Sequence, residues 1–218
     1  MLIPLPTGRQ GVVAGAIVAA LLVGAVLFVA GSLDRPRPPE FAPSVTAPEE
    51  VGPRLAEPRL YTIDATRERE WSYFDFSRGS RVDDPEPLGW DLAFRRNRII
   101  VNGGEGFPGK AGVVDLGEVP FDRVAAAPPG GYQGTTAGRD SVQPALEEWY
   151  DYGFTSHVLE ARPRVYAIRT ADRRYVKLQV MSYYCPGARG GCVTFRYVYQ
   201  GDGSPAFRLS GSPSSIGR

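Results

Sequence analysis

Residues 175–200, YVKLQVMSYYCPGARGGCVTFRYVYQ, decide the fold class. In the first half Val176, Leu178 and Val180 alternate with Tyr175, Lys177, Gln179 and Met181. In the second half Val193, Phe195, Tyr197 and Tyr199 alternate with Thr194, Arg196 and Val198. A period of two is what a β-strand imposes, because successive side chains point to opposite faces. The pattern predicts two antiparallel strands with one buried face, joined through CPGARGGC. Cys185 and Cys192 stand seven positions apart at the ends of the two runs, where a turn brings them within bridging range. A disulfide there implies an oxidising compartment. Two free core thiols, or half of a metal site, are the competing readings. The metal site is the poorer one, since the single histidine, His157, is remote in sequence and no second cysteine pair exists.

Working outward, the shorter runs RLYTIDA, WSYFDFS, WDLAF, RIIVN, GVVDL and RVYAIR are rich in β-branched and aromatic residues and are separated by Gly, Pro or Asp clusters. Only PALEEWYDYG reads as a short helix. The expectation is an all-β, antiparallel domain over residues 59–209, large enough to bury its own core. Its longest irregular loop would run from Glu118 to Ser141. Residues 210–218, SGSPSSIGR, read as a flexible tail. Upstream, proline occurs seven times between Arg35 and Pro58 and apolar residues keep no period, so residues 34–58 read as an extended Pro-rich linker with few contacts of its own.

Residues 11–33, GVVAGAIVAALLVGAVLFVAGSL, carry no charge over 23 positions, enough at about 1.5 Å per residue to cross a bilayer core. The apolar run exceeds the roughly 7–15 residues of a secretory signal, and Arg9 is the only charged side chain before it, so an uncleaved transmembrane helix is the better reading. Cleavage after the small residues near Ala30 remains the alternative, and no cysteine follows to accept a lipid. Arg9 and the amino terminus are matched by Arg35 and Arg37 on the other side, so charge counting does not orient the helix. The cysteine pair does: the C-terminal domain is expected outside the cytoplasm and residues 1–10 as a short cytoplasmic tail of a single-pass protein.

Catalytic chemistry is poorly served. A Ser-His-Asp arrangement would need His157, yet no GxSxG elbow is present. Gly104-Glu105-Gly106-Phe107-Pro108-Gly109 matches GxGxxG, but Pro108 and the following KAGVVDL forbid the helix that would hold a pyrophosphate, leaving a glycine-rich turn. Asp83-Asp84 and Glu147-Glu148 lack partners at ligand spacing. With 25 basic and 24 acidic side chains, bulk charge gives no case for nucleic-acid binding. The protein is expected not to be an enzyme.

Five phrases then carry a resemblance. Trp71-Ser72-Tyr73-Phe74-Asp75-Phe76-Ser77, Trp90-Asp91-Leu92-Ala93-Phe94 leading to Asn102-Gly103-Gly104, Val165-Tyr166-Ala167-Ile168-Arg169-Thr170, Tyr175-Val176-Lys177-Leu178-Gln179-Val180 and Thr194-Phe195-Arg196-Tyr197-Val198-Tyr199-Gln200 occur in the order seen in HmuY-like proteins. From about Tyr61 to Phe207 the chain resembles that family. The resemblance implies an all-β extracytoplasmic fold, and its best-known members are surface-anchored bacterial proteins that hold haem between two axial side chains. Here the sequence departs from the pattern. Two histidines are not available, and a His/Met pair would have to join His157 to Met181, the sole methionine beyond the initiator.

The apolar helix supplies a second line. Gly11 and Gly15 form a GxxxG match that Ala19 continues, a row that lets another helix approach closely. Two functions of different class follow. The first is a non-catalytic accessory subunit with no cofactor, docking on the transmembrane helices and extracytoplasmic surfaces of other subunits in a respiratory or photosynthetic type of complex. The alternative is an anchored haem-binding protein.

Overall fold

In this computed structural model the described residues are 8–33, 36–45, 58–138 and 141–207. Of the tail expected at 1–10, residues 1–7 lie outside them and the helix already begins at Arg9; the tail expected at 210–218 and residues 46–57 of the linker also lie outside. The chain divides into two units, Met1–Arg37 with Tyr152–Val158, and Pro38–Asp151 with Leu159–Arg218.

The first unit contains α1, Arg9–Leu33. Its span Gly11–Leu33 has a mean hydropathy of 2.9 with none of it buried in the protein. Ala and Leu favour a helix and no proline interrupts the segment, which outweighs the cost of its glycines and β-branched valines. An apolar surface of this size, exposed on every side, is compatible with a membrane anchor or a signal sequence.

The second unit holds most of the strands: β1 Arg59–Asp64, β2 Ser72–Asp75, β3 Ser80–Val82, β4 Leu92–Arg95, β5 Arg98–Val101, β6 Gly112–Asp115, β7 Tyr150–Tyr152, β8 Leu159–Ala161, β9 Tyr166–Arg169, β10 Tyr175–Cys185 and β11 Arg189–Gln200. They form a five-stranded sheet in the order β1-β11-β10-β9-β6, a four-stranded sheet in the order β3-β2-β4-β5, and the pair β7-β8. Both larger sheets are antiparallel, as the period of two predicts. Val176 faces Tyr199, Leu178 faces Tyr197 and Val180 faces Phe195 across β10 and β11. This face packs on the four-stranded sheet through aromatic rings. Phe94 stacks on Phe195 at 5.5 Å, while Phe74 meets Phe195 edge-on at 5.2 Å and Phe76 meets Tyr197 at 5.2 Å. Each buried ring contributes about 1.5–3 kcal/mol by area and such ring pairs about 0.5–1.5 kcal/mol more.

The expectation of a single buried face is corrected. Lys177 and Gln179 are only 5% and 7% exposed, because the loop after β6 and the end of the chain cover the second face with Phe121, Val124, Ala127 and Phe207. The Lys177 ammonium reaches the carbonyls of Phe121 and Val124, each at 3.1 Å. Its apolar stem can therefore be buried while the head keeps hydrogen-bond partners. Burial lowers its pKa. Gln179 Oε1 accepts from Arg196 Nε at 2.8 Å across the ladder, and the Arg196 guanidinium lies 4.3 Å over the Phe121 ring.

PALEEWYDYG is corrected as well. It folds as a short 3-10 turn at Pro144–Leu146 followed by β7. Gln143 caps the turn by accepting from the Ala145 amide at 2.7 Å, and buried Trp149 donates to the Asn97 carbonyl at 2.8 Å, which fixes the chain before a helix can continue. Part of the segment assigned to the linker also makes contacts the sequence did not foresee. The Phe41 amide donates to the Tyr184 carbonyl at 2.9 Å and the Ser44 amide to the Thr62 carbonyl at 2.9 Å. Ser182 Oγ donates to the Pro39 carbonyl, and the Gly187 amide donates to Glu40 at 2.8 Å. Residues 38–45 thus lie along the five-stranded sheet without helix or strand of their own.

Candidate functional site

The β10–β11 hairpin is closed by the Cys185–Cys192 disulfide, with Cα atoms 4.9 Å apart. Both sulfurs belong to buried residues, and Gly187 and Ala188 turn the chain with φ of 78° and 55°. Gly191, at φ 116°, sits against Thr66, whose Cα would be 2.8 Å from any added Cβ. The tip is accordingly a stiff, covalently closed element.

Met181 lies on β10 at an irregularity. Val180 pairs with Phe195 and Ser182 with Thr194, so Met181 is the extra residue of a β-bulge, a device that re-aims a side chain and breaks strict alternation. It is 37% exposed, whereas Tyr183 beyond it is buried. His157 belongs to the other unit. It occupies the exposed tip of the segment after β7, with φ 56°. Its amide donates to the Gly153 carbonyl at 2.7 Å, and its Nδ1 shares a 2.6 Å hydrogen bond with the Tyr152 hydroxyl.

A cleft of about 250 Å³ is lined by Asn97, Ile99, Gln143, Leu146 and Tyr150 among others. That is below the roughly 300–1,000 Å³ of sites that enclose drug-sized ligands, and neither His157 nor Met181 belongs to its lining. The Tyr150 hydroxyl accepts from Asn97 Nδ2 at 2.9 Å. The donor set therefore does not fit a haem held between two histidines. Among the described residues no group of three His, Cys, Asp or Glu side chains is placed to hold a metal ion.

The most perturbed ionisable group is Asp91, which the sequence shows only as the polar residue of WDLAF. Its Oδ2 accepts from the Phe76 amide at 3.0 Å and its Oδ1 from the Ala171 amide at 2.8 Å. It thereby ties the four-stranded sheet to the turn between β9 and β10. Burial pushes its pKa up to about 8, with the Asp75 carboxylate adding to the rise. Holding these two backbone amides, Asp91 acts as a clamp between the segments that carry them. Asn102 works beside it: Nδ2 donates to the Pro87 and Trp90 carbonyls at 2.9 and 3.0 Å, and Oδ1 accepts from the Gly109 amide at 3.2 Å. The glycine-rich segment is a turn, as expected. At Gly104, with φ 107°, an added Cβ would stand 2.1 Å from the Thr135 carbonyl oxygen, and the chain continues into β6, a strand.

In α1, Gly15 has nothing within 4 Å of the position of a Cβ, and Ala19 is exposed. Of the row Gly11, Gly15, Ala19, the last two are therefore open along the helix surface within its unit.

The architecture is two antiparallel sheets over an aromatic core with a long strand pair closed by a disulfide. The model of the HmuY protein family matches residues 67–197, more than half of the 218 residues, and the chain belongs to that family. Among solved structures it is similar to the apo HmuY analogue of Tannerella forsythia, with a TM-score of 0.55 and 18% identity, covering 67% of this chain and 98% of that one. A Bacteroides vulgatus protein proposed to be HmuY-like and haem-binding gives a TM-score of 0.53 and 20% identity, covering 69% and 98%. Apo PinO from Porphyromonas gingivitis gives 0.55 and 14%, covering 66% and 98%. At these identities the likeness is one of fold. No curated protein sequence matches the chain.

Proposed function

We propose that the protein is a non-catalytic, membrane-anchored interaction subunit that presents a HmuY-like domain on the periplasmic side of a larger membrane complex. The observation that carries this reading is the state of the sole histidine. His157 is exposed and its Nδ1 is already engaged by Tyr152, and it is the one histidine of the sequence, so two histidines cannot serve as axial donors within one copy of the chain. The uncharged helix with its open row of small residues supports anchoring with lateral contact to other helices. Haem binding is kept as the second reading, because the family's members are binding proteins and a relative of the same fold is proposed to bind haem.

Titrating the full-length protein in detergent with haemin separates the two. The accessory reading expects no stoichiometric Soret shift. A one-to-one complex whose spectrum changes in a His157→Ala or Met181→Leu variant would replace it with haem binding.

A further inference from the structure

The segment Tyr152–Val158, YGFTSHV, belongs to the unit that contains α1, and it carries no acidic side chain, lysine or arginine. Its backbone closes on itself. The Gly153 amide donates to the Val158 carbonyl at 2.9 Å and the His157 amide to the Gly153 carbonyl at 2.7 Å. Ser156 Oγ lies so close to Gly153 that an added Cβ would stand 2.2 Å from it. The 2.6 Å bond between the Tyr152 hydroxyl and His157 Nδ1 ties the two sides of the turn. The tip thus directs several polar groups inward and presents Phe154, which at 77% is the most exposed aromatic side chain among the described residues.

This tip meets α1 at one end of the apolar span. A Cβ placed on Gly31 would lie 3.8 Å from Thr155 Oγ1, and Gly31 is half-buried whereas residues 12–30 of the helix are exposed. Gly31 stands two positions before the end of the helix at Leu33, about 3 Å along the axis. The span of 23 residues is about 35 Å long, against a hydrocarbon core of about 30 Å. With the span centred in a bilayer, Thr155 and its neighbour Phe154 come to the boundary between acyl chains and headgroups, the layer in which exposed aromatic side chains are enriched.

We infer that residues 152–158 make a second contact with the bilayer beside α1, with Phe154 entering the edge of the acyl layer and Tyr152 at headgroup level, an inference that rests on the membrane-anchor reading. Continuity chooses lipid as the occupant. The uncharged surface of the helix, which the bilayer covers, runs directly into an uncharged tip. The closed backbone bonds make the approach tolerable, because amide and carbonyl groups left unpaired away from water are costly. Without lysine or arginine the segment holds no permanent cation for an anionic headgroup, so a zwitterionic lipid suffices.

The test uses the full chain in phosphatidylcholine vesicles, with one tryptophan at a time added to the three of the wild type and read as the extra emission lost when the lipid is brominated. L21W lies at the exposed middle of α1 and, with bromines near the methyl ends of the acyl chains, reports whether the helix is embedded. L88W, at an exposed position of the other unit, is the reference for the domain surface. With bromines near the headgroup ends, F154W should lose at least about twice the fraction of added emission that L88W loses. Quenching of L21W without quenching of F154W would overturn the inference and leave the anchor intact, making a protein partner the occupant of the tip. Equal quenching of F154W and L88W would overturn it too, because the domain would then adsorb without a specific contact. An unquenched L21W would overturn the anchor reading and the inference together.

Discussion

Replacing Asp91 by Asn should change the sign of a stability difference as pH is varied. In the folded protein the Asp91 carboxyl has a pKa pushed up to about 8 from 3.8, by burial first and by Asp75 second. Between those values the folded state holds a proton that the unfolded chain has released, so stability is fully present below the unfolded pKa and falls as pH rises towards the folded one. The loss approaches about 1.4 kcal/mol per pH unit, on the order of 5 kcal/mol across the window, which is a large part of the 5–15 kcal/mol typical of a domain. Asparagine stays neutral and keeps one acceptor, but it cannot accept from both the Phe76 and Ala171 amides that Asp91 serves. One buried N–H is left unsatisfied, a pH-independent cost of about 1–3 kcal/mol. Wild type should therefore be the more stable protein at about pH 4.5, the two should cross between about pH 4.5 and 6, and the Asn variant should lead by roughly 2–4 kcal/mol near pH 7.5. Urea unfolding followed by tryptophan fluorescence at several pH values gives the difference directly. A difference that stays constant across that range would mean that Asp91 is ionised in the fold, and the clamp would have to be re-derived as a charged one.

Three further outcomes are expected. Phe195→Ala removes a fully buried ring touching Tyr61, Phe74, Phe94 and Tyr197 and should cost about 3–5 kcal/mol in the same unfolding assay. Lys177→Met keeps the apolar stem but leaves the Phe121 and Val124 carbonyls without their donor, for a loss of about 1–3 kcal/mol; an unchanged midpoint would show that water replaces the ammonium. Gly15→Leu fills the open row on α1, so it should reduce recovery of partner subunits from solubilised membranes, whereas Leu22→Ala should not; equal recovery would mean that the helix serves only as an anchor.

What could be read in the chain beforehand follows the length of each signal. The 11 and 12 residues of β10 and β11 give several full alternations, and their pairing and the intervening disulfide were legible. β3, β7 and β8 have three residues each, too few to establish a period. The cover over Lys177 comes from Phe121 and Val124, more than fifty positions away, and no local pattern announces it. The bulge at Met181 was hidden for a similar reason, since it exists only relative to the register of β11. For the site, the lone histidine was a visible candidate but its Tyr152 partner was not.

The pairing of β1 with β11 joins Ile63 to Val193, in the first and last of the described strands. At a synthesis rate of about 5–20 residues per second, β1 waits on the order of ten seconds for its neighbour to be made. Throughout that interval the apolar helix has already left the ribosome, whereas one edge of the principal sheet has no strand to join. The helix is therefore made ahead of the strand that completes the sheet, and the domain can close only after β11 has been synthesised.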